Sequence, residues 1–394
     1  MSALKNLQNK KCLNILGLMS GTSCDGLDIA LLEVCGSAQQ THFRLKKSCN
    51  VSYSRTRKKE LLQFISKNEH TLKEISQFNF YMAEVWSEQI KQFLKNENLT
   101  EKDIDLVASH GQTIWHEPQP ENFLGESISS TLQMGDPGVL AALLKIPVVG
   151  DFRVADVALG GQGAPLIPYF DWVFFSQFKK NILALNIGGI SNITIIPANG
   201  DFEKVTAFDC GPGNMLIDSV CQKLLNIPFD ENGKIAASGK NNPSLFEYLQ
   251  ELDTFAKIKP PKSTGRELYN QQYVNKLIGF AETRKISTKD FVHTLTKYTA
   301  YAIFNSSQQF INGSIEELAI AGGGAKNGFL VKLLKQFFTD VKIKPTSFYG
   351  LDEEFKEAIG FAILANETIR GKSSNVPSAT GAKHAAVLGK ICLV

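Results

Sequence analysis

Two stretches of this chain share one pattern, an apolar run, a turn rich in small polar residues, and a second apolar run. They are GLMSGTSCDGLDIALLEV at 17–34 and NILALNIGGISNITIIP at 181–197. An ordinary hairpin needs only two turn residues, so the hardware of the first turn (Gly21, Thr22, Ser23, Cys24, Asp25, Gly26, Leu27 and Asp28) exceeds what folding asks for. A hairpin repeated far along a chain predicts an internal quasi-duplication. A third apolar run, ELAIAGGGAKNGFLVKLL at 317–334, ends in Gly322, Gly323 and Gly324 and opens a helix.

The intervening sequence predicts helix at 58–97, where Phe78, Tyr81, Met82, Val85, Trp86, Ile90, Phe93 and Leu94 make one apolar stripe. A buried strand is expected at 106–108, then helix and short strand in VLAALLKIPVVGDFR, and a late helix in FKEAIGFAILANETI. The fold class is α/β, and 394 residues are too many for one ordinary core. Two domains are expected: 1–152, with the tail 376–394 a candidate to pack back on it, and 153–375. The glycines of VVGDFRVADVALGGQGAP make that stretch the expected hinge.

A net charge of +3 with scattered basic residues gives no reason to expect nucleic acid or a membrane surface as partner. No segment has the apolar core of a signal peptide or a membrane span. Seven cysteines without a CxxC spacing point to reduced thiols in a cytoplasmic protein, and dispersed histidines argue against zinc.

No standard phosphate device is present. Gly371-Lys372-Ser373 lacks the upstream glycine of a P-loop, since Asn366 holds that place. Glycine- and hydroxyl-rich hairpin turns can instead aim backbone N–H groups at a phosphate. Gly21-Thr22-Ser23 and Gly188-Gly189-Ile190-Ser191-Asn192 fit that role, with an adenosine lying at Gly322–Gly324. In AFDCGPGNMLID, Asp209 precedes Cys210 and Gly-Pro-Gly and is expected on a fixed loop. It is a candidate general base or an Asx-turn aspartate, while Asp218 reads as structural or exposed. His110, Gln112 and Thr113 leave a strand end, where α/β folds place ligands. Arg153 could grip a carboxylate, and Gly160, Gly161, Gln162 and Gly163 form either a hinge or a surface for a sugar. Lys262 and Arg266 are phosphate or ribose contacts or members of a solvated loop.

Taken together, GLMSGTSCDGLD, SHGQTIWHEP, GDFR..D.ALGGQGAPL.P, LNIGGISN, FDCGPGN, PKSTGRE and GGGAKN closely resemble the anhydro-N-acetylmuramic acid kinase family. The resemblance implies an actin/hexokinase-like fold of two domains, each ribonuclease H-like, closing on ATP and Mg²⁺. It implies an enzyme of peptidoglycan recycling that opens 1,6-anhydro-N-acetylmuramic acid with water and phosphorylates O6. By motif, Gly21 to Asp28 become the phosphate loop and Asp209 the base that deprotonates water. Glu357 is similar to an acidic position in the family's late helix, and a homodimer is expected. The direct metal ligands are not identified.

Two positions depart from the family pattern: Cys24 replaces an aliphatic residue, and Val154 and Ala155 stand where arginine is often found. If those arginines hold the lactyl carboxylate, Arg153 is left to do so alone. The alternatives are another sugar kinase of the same fold and a catalytically silent ATP-binding regulator.

Overall fold

The computed structural model describes residues 3–21, 24–67, 69–265, 268–310 and 313–394. Thr22, Ser23 and Arg266 lie outside the described residues. In chain order the strands are β1 (Cys12–Met19), β2 (Gly26–Cys35), β3 (His42–Ser52), β4 (Leu106–Ser109), β5 (Gln112–Phe123), β6 (Glu126–Met134) and β7 (Val148–Gly150). They continue as β8 (Ile182–Ile187), β9 (Ile190–Ile196), β10 (Thr206–Pro212), β11 (Glu317–Ala321), β12 (Lys342–Pro345) and β13 (Lys390–Cys392).

The chain divides into two compact units, residues 1–174 with 354–394, and residues 175–353. Unit 1 holds a sheet in the order β13-β7-β4-β1-β2-β3, and unit 2 one in the order β10-β9-β8-β11-β12. In each, the first three strands pair antiparallel and the next two join parallel. Counted along its own sheet, each runs 3-2-1-4-5, with β13 a sixth strand beyond β7 in unit 1, so the repeated hairpin is the visible part of a repeated topology. This is the ribonuclease H-like duplication expected from the sequence.

The observed units differ from the expected boundary at 152/153. The helix Ile167–Phe175 is mostly built into unit 1, where Phe170 and Phe174 pack against Phe43 of β3. The helix Lys356–Ile369 also returns to unit 1. A Cβ on Gly17 of β1 would lie 2.0 Å from the Ala358 carbonyl, so the helix rests directly on the strand. Nearly every residue of that helix is buried, including Glu367, whose carboxylate accepts bonds from Ala38 N (3.1 Å) and Thr41 Oγ1 (3.0 Å). A helix buried all round needs such partners for its polar groups. The tail contributes β13, antiparallel to β7.

Four further expectations are corrected. The helical region at 58–97 is two helices, Arg55–Ile65 and Leu72–Asn96, the second opened by a reciprocal capping box of Thr71 and Glu74. Residues 112–134 form a long two-stranded hairpin, β5–β6, which was not read from the sequence. Gly26, Leu27 and Asp28 belong to β2 rather than to the turn. The thiols are not all reduced, because Cys12 and Cys35 face each other in the β1–β2 register and form a disulfide. Among the described residues, no helix is long and apolar enough to cross a membrane.

Candidate active site

In unit 1 the first turn hangs between β1 and β2. Ser20 is buried and donates from Oγ to Gln112 Oε1 at 2.8 Å, while Gln112 Nε2 reaches back to the Gly21 carbonyl at 3.4 Å. Gln112 therefore braces the turn from the start of β5. Thr113 accepts from Gln133 Nε2 at 3.3 Å across the same hairpin. Cys24 is buried at a positive φ of 50°, and burial, then Asp25, pushes its thiol pKa up. Cys24 and Leu27 place their side chains in the core of unit 1, which leaves only their backbone for a ligand. Asp25 is exposed and ion-paired to Lys58.

His110 is buried, with Nδ1 against the Gly111 carbonyl at 2.8 Å and Nε2 accepting from Arg153 Nε at 3.0 Å. Burial holds its pKa well below the ordinary histidine value, with the Arg153 charge adding to the effect. A neutral Nδ1–H tautomer satisfies both contacts. Arg153 also donates to the Gly163 carbonyl at 2.6 Å, so two of its donors are spent on positioning. The buried Asp156 gathers the glycine loop: it accepts from Gly163 N at 2.7 Å and from Asn375 and Thr380, both at 2.7 Å. A Cβ on Gly161 would sit 2.3 Å from Asp156 Oδ2, and Gln162 N donates to the Thr380 carbonyl at 2.7 Å. The loop is thus fixed to its own unit rather than acting as a hinge.

Glu357 and Asp28 both carry raised carboxyl pKa values. Desolvation is the largest cause for each; Arg153 opposes it at Glu357, and Asn50, donating to Asp28 at 2.6 Å, opposes it at Asp28. Asp28 also raises Glu357 and Glu354 raises Asp28, so the three carboxylates share one electrostatic neighbourhood. Glu357 is nonetheless exposed to water. Its environment is one of surrounding protein mass with the carboxyl open at the surface.

In unit 2 the second turn is held mainly by main chain, with Asn214 Nδ2 also donating to the Ile187 carbonyl at 3.4 Å. Gly213 N donates to Gly189 O (2.8 Å), Asn214 N to Gly188 O (2.8 Å) and Met215 N to Gly189 O (3.2 Å). The free N–H groups that begin the helix Met215–Leu225 are satisfied by the turn's carbonyls. The tip at Gly189 stays exposed. Asp209 is not on a loop: it lies in β10 opposite Asn192 of β9, beside a bulge between Asp209 and Gly211. Bulges re-aim side chains next to functional sites, and Gly211 takes a φ of +135° there. Asp209 N donates to the Lys262 carbonyl (3.2 Å), and Asp209 Oδ2 accepts from Thr264 N (2.8 Å). Asn192 thus lies beside the acid.

Gly323 opens onto a cavity of about 260 Å³ in unit 2, which Asn214, Asp218, Asp230, Lys326 and Asn327 also line. A Cβ on Gly323 would meet nothing closer than Asn214 Nδ2 at 3.7 Å. On Gly322 and Gly324 it would come within 2.7 and 2.4 Å of neighbouring atoms. Gly323 is the member of the triplet that faces a ligand-sized space, and the other two let β11 meet β8 closely. A second, more open groove of about 630 Å³ is lined by Gly189, Met215, Asp218 and Tyr269. Asp218 lines both, and desolvation, then Asp230, raises its pKa to about 6. The reading of Asp218 as structural or exposed missed this; its place one turn into a helix that starts at a glycine hairpin was the available signal.

Lys262 is not in a solvated loop. It is buried and donates to the Phe255 carbonyl at 3.2 Å. Among the described residues, no group of three or more His, Cys, Asp or Glu is placed to hold a metal ion.

The sequence profile of the anhydro-N-acetylmuramic acid kinase family matches residues 13–393. A relative of that name from Caldanaerobacter subterraneus subsp. tengcongensis is 42% identical over 399 residues, covering 100% of both chains. One from Bacillus cereus is 41% identical over 381 residues, covering 96% of this chain and 98% of the relative. One from Salinibacter ruber is 37% identical over 393 residues and covers 99% of each chain. With a match across nearly its whole length, this chain belongs to the anhydro-N-acetylmuramic acid kinase family.

Proposed function

We propose that this chain uses ATP and water to convert 1,6-anhydro-N-acetylmuramic acid into N-acetylmuramic acid 6-phosphate and ADP, with Asp209 as the base. The observation that carries the reading is the placement of Asp209. Asp209 is paired in β10 opposite Asn192 at the edge of a bulge, two backbone contacts from 262–264 hold it, and it lies in the same unit as the Gly188–Gly189 turn and the Gly323 cavity.

Asp209 takes a proton from water as the hydroxyl adds to C1 of the sugar. The C1–O6 bond breaks, and the electron pair stays on O6, which attacks the γ-phosphorus of ATP as ADP leaves. The product is heavier than the sugar by one phosphoryl group and one water. Held reactants make such a coupled displacement effectively unimolecular, and backbone donors meet the charge that develops on the phosphoryl oxygens.

The Gly323 cavity takes the adenosine, and the glycine turns at Gly21 and Gly188–Gly189 serve the phosphates. Arg153, Gln112, Thr113, Gln162 and Glu357 are assigned to the sugar, with His110 holding Arg153. Arg153 spends donors on His110 and Gly163; its remaining donors are assigned to the lactyl carboxylate. Mg²⁺ would be held largely by the nucleotide's phosphates and water, so that one or two carboxylates of this chain would suffice. Asp28, a half-buried carboxylate of β2 coupled to Glu357, would serve that limited role. Bound there, the ion would neutralise phosphate charge. A cytoplasmic homodimer completes the proposal.

The test is ADP release on addition of purified 1,6-anhydro-N-acetylmuramic acid, with mass spectrometry of the product. Asp209→Asn should abolish turnover and leave ATP affinity within about twofold. Turnover of a free hexose alone would retain the kinase and replace the substrate.

A further inference from the structure

Beneath Asp209 lies a buried cluster that the reaction itself does not use. Lys262 is 6% exposed, its ammonium has one hydrogen bond, to the Phe255 carbonyl, and it stands over three aromatic rings. The centroids are 4.7 Å away at Phe255, 5.0 Å at Phe310 and 5.8 Å at Phe208. Next to it Asp253 is 1% exposed and accepts from Tyr298 (2.8 Å) and Tyr269 (3.1 Å). No carboxylate of the described residues forms an ion pair with Lys262 within 4.0 Å.

A lysine buried this way is costly. If packing were the only need, methionine would fill the space between three phenylalanines without desolvating a charge. The backbone of the same residue supplies the alternative explanation. The Lys262 carbonyl accepts from Asp209 N, and two residues on Thr264 N donates to Asp209 Oδ2. The segment therefore grips the acid at its main chain and at its carboxylate, and the Lys262 side chain anchors the segment. The anchor is a cation close enough to couple to Asp209, Asp253 and Cys210.

We propose that Lys262 is a positioning residue for Asp209, fixing the 262–264 strap against the carboxylate and placing a buried positive charge beneath it. This rests on the assignment of Asp209 as the base. The strap holds the acid in one orientation, and the ammonium favours its ionised form, so that it can accept a proton from water near neutral pH. Among the described residues, the other titratable groups packed around the cluster are Cys210 on β10, Asp253, Tyr269, Tyr273, and Tyr298 on the helix Thr288–Phe310. Burial pushes the thiol and the phenols up, so they stay neutral where Asp209 works; burial raises the Asp253 carboxyl too, against its hydrogen bonds from Tyr298 and Tyr269, and its charge is the one in this group that opposes Lys262.

The test is the pH profile of kcat/KM for the sugar, measured on full-length wild type, Lys262→Met and Lys262→Arg. The ionisations of sugar and ATP are common to all three, so differences report the enzyme. Lys262→Met should move the acid limb up by roughly one pH unit, with the KM for ATP within about twofold. Lys262→Arg, which keeps the charge over the rings, should return the limb toward wild type. A folded Lys262→Met enzyme with an unmoved acid limb overturns the proposal and leaves Lys262 as packing alone. Should Lys262→Met not fold, Lys262→Gln carries the test: losing the ammonium should again move the limb up, and an unmoved limb overturns the proposal. Asp209→Asn run alongside separates the two readings. Turnover in that variant removes the base assignment, whereas its loss with unmoved limbs removes only the role of Lys262.

Discussion

The two hairpins occupy equivalent positions in two sheets of the same order, yet they are braced by different chemistry. The first turn depends on side chains: Ser20 and Gln112 hold it from below, and Lys58 pairs with Asp25 at its surface. The second depends on backbone, with three N–H groups from residues 213–215 clamped onto the Gly188 and Gly189 carbonyls. A backbone clamp has no side chain to trade and tolerates no added volume. A side-chain brace can be weakened by degrees. The second turn should therefore fail abruptly and the first gradually.

The largest effect is expected at Gly213. A Cβ there would lie 2.4 Å from the Gly188 carbonyl and 3.1 Å from that of Gly189, both backbone atoms. Gly213→Ala must push the turn off the helix start. Overpacking of this kind costs about 2–3 kcal/mol, read as a fall in denaturant midpoint, and ATP affinity should drop more than tenfold. Unchanged ATP binding in a destabilised Gly213→Ala protein would show that the second turn does not touch phosphate.

Next is Asp218, near the clamped turn. Its pKa of about 6 lies above the 3.8 of an unhindered aspartate. Between those values the folded protein holds a proton that the unfolded chain has lost, so stability falls as pH rises across that window. Relative to Asp218→Asn, wild type should lose about 2 kcal/mol between pH 4 and pH 6.5, a figure discounted for its partial contact with water. Parallel stability curves for the two proteins would mean that Asp218 is not desolvated.

Gln112 tests the gradual side. Gln112→Leu keeps the buried volume but removes the acceptor for Ser20 and the donor to Gly21. Ser20 Oγ retains a longer contact to the Gly26 carbonyl at 3.4 Å, so the loss should be about 1–2 kcal/mol. The KM for ATP should rise severalfold without loss of fold. An effect as large as that of Gly213→Ala would erase the distinction between the hairpins.

The sequence displays this comparison unevenly. Period-two apolar runs and glycine turns mark β1–β2 and β8–β9, and with them the duplication, because each hairpin is written in contiguous residues. The β5–β6 hairpin was missed because much of it is exposed, polar residues and the apolar Trp115 and Phe123 alike, and lacks the alternation that burial imposes. The boundary was misread because the helix Lys356–Ile369 joins unit 1 by a close approach to Gly17, a contact no local pattern encodes. Asp209 was legible as a residue, but its strand and bulge depend on pairing with β9. Arg153 and His110 were legible singly, whereas Asp156 was not singled out. Their mutual bonds, which convert a suspected hinge into a fixed loop, arise only from the fold.

The smallest effect belongs to Lys58. Its pair with Asp25 joins side chains 39% and 60% exposed, so water and salt screen it. Exposed pairs of this kind contribute about 0–1 kcal/mol, and Lys58→Ala should leave thermal stability within about 0.5 kcal/mol of wild type. The useful reading is kinetic. If Ser20 and Gln112 are the brace, the KM for ATP of Lys58→Ala should stay within about twofold and respond to added salt as wild type does. A tenfold rise that salt reproduces in wild type would place control of the first turn in a surface ion pair. The two hairpins would then differ in exposure as well as in chemistry, with one held from inside the protein and the other from its surface.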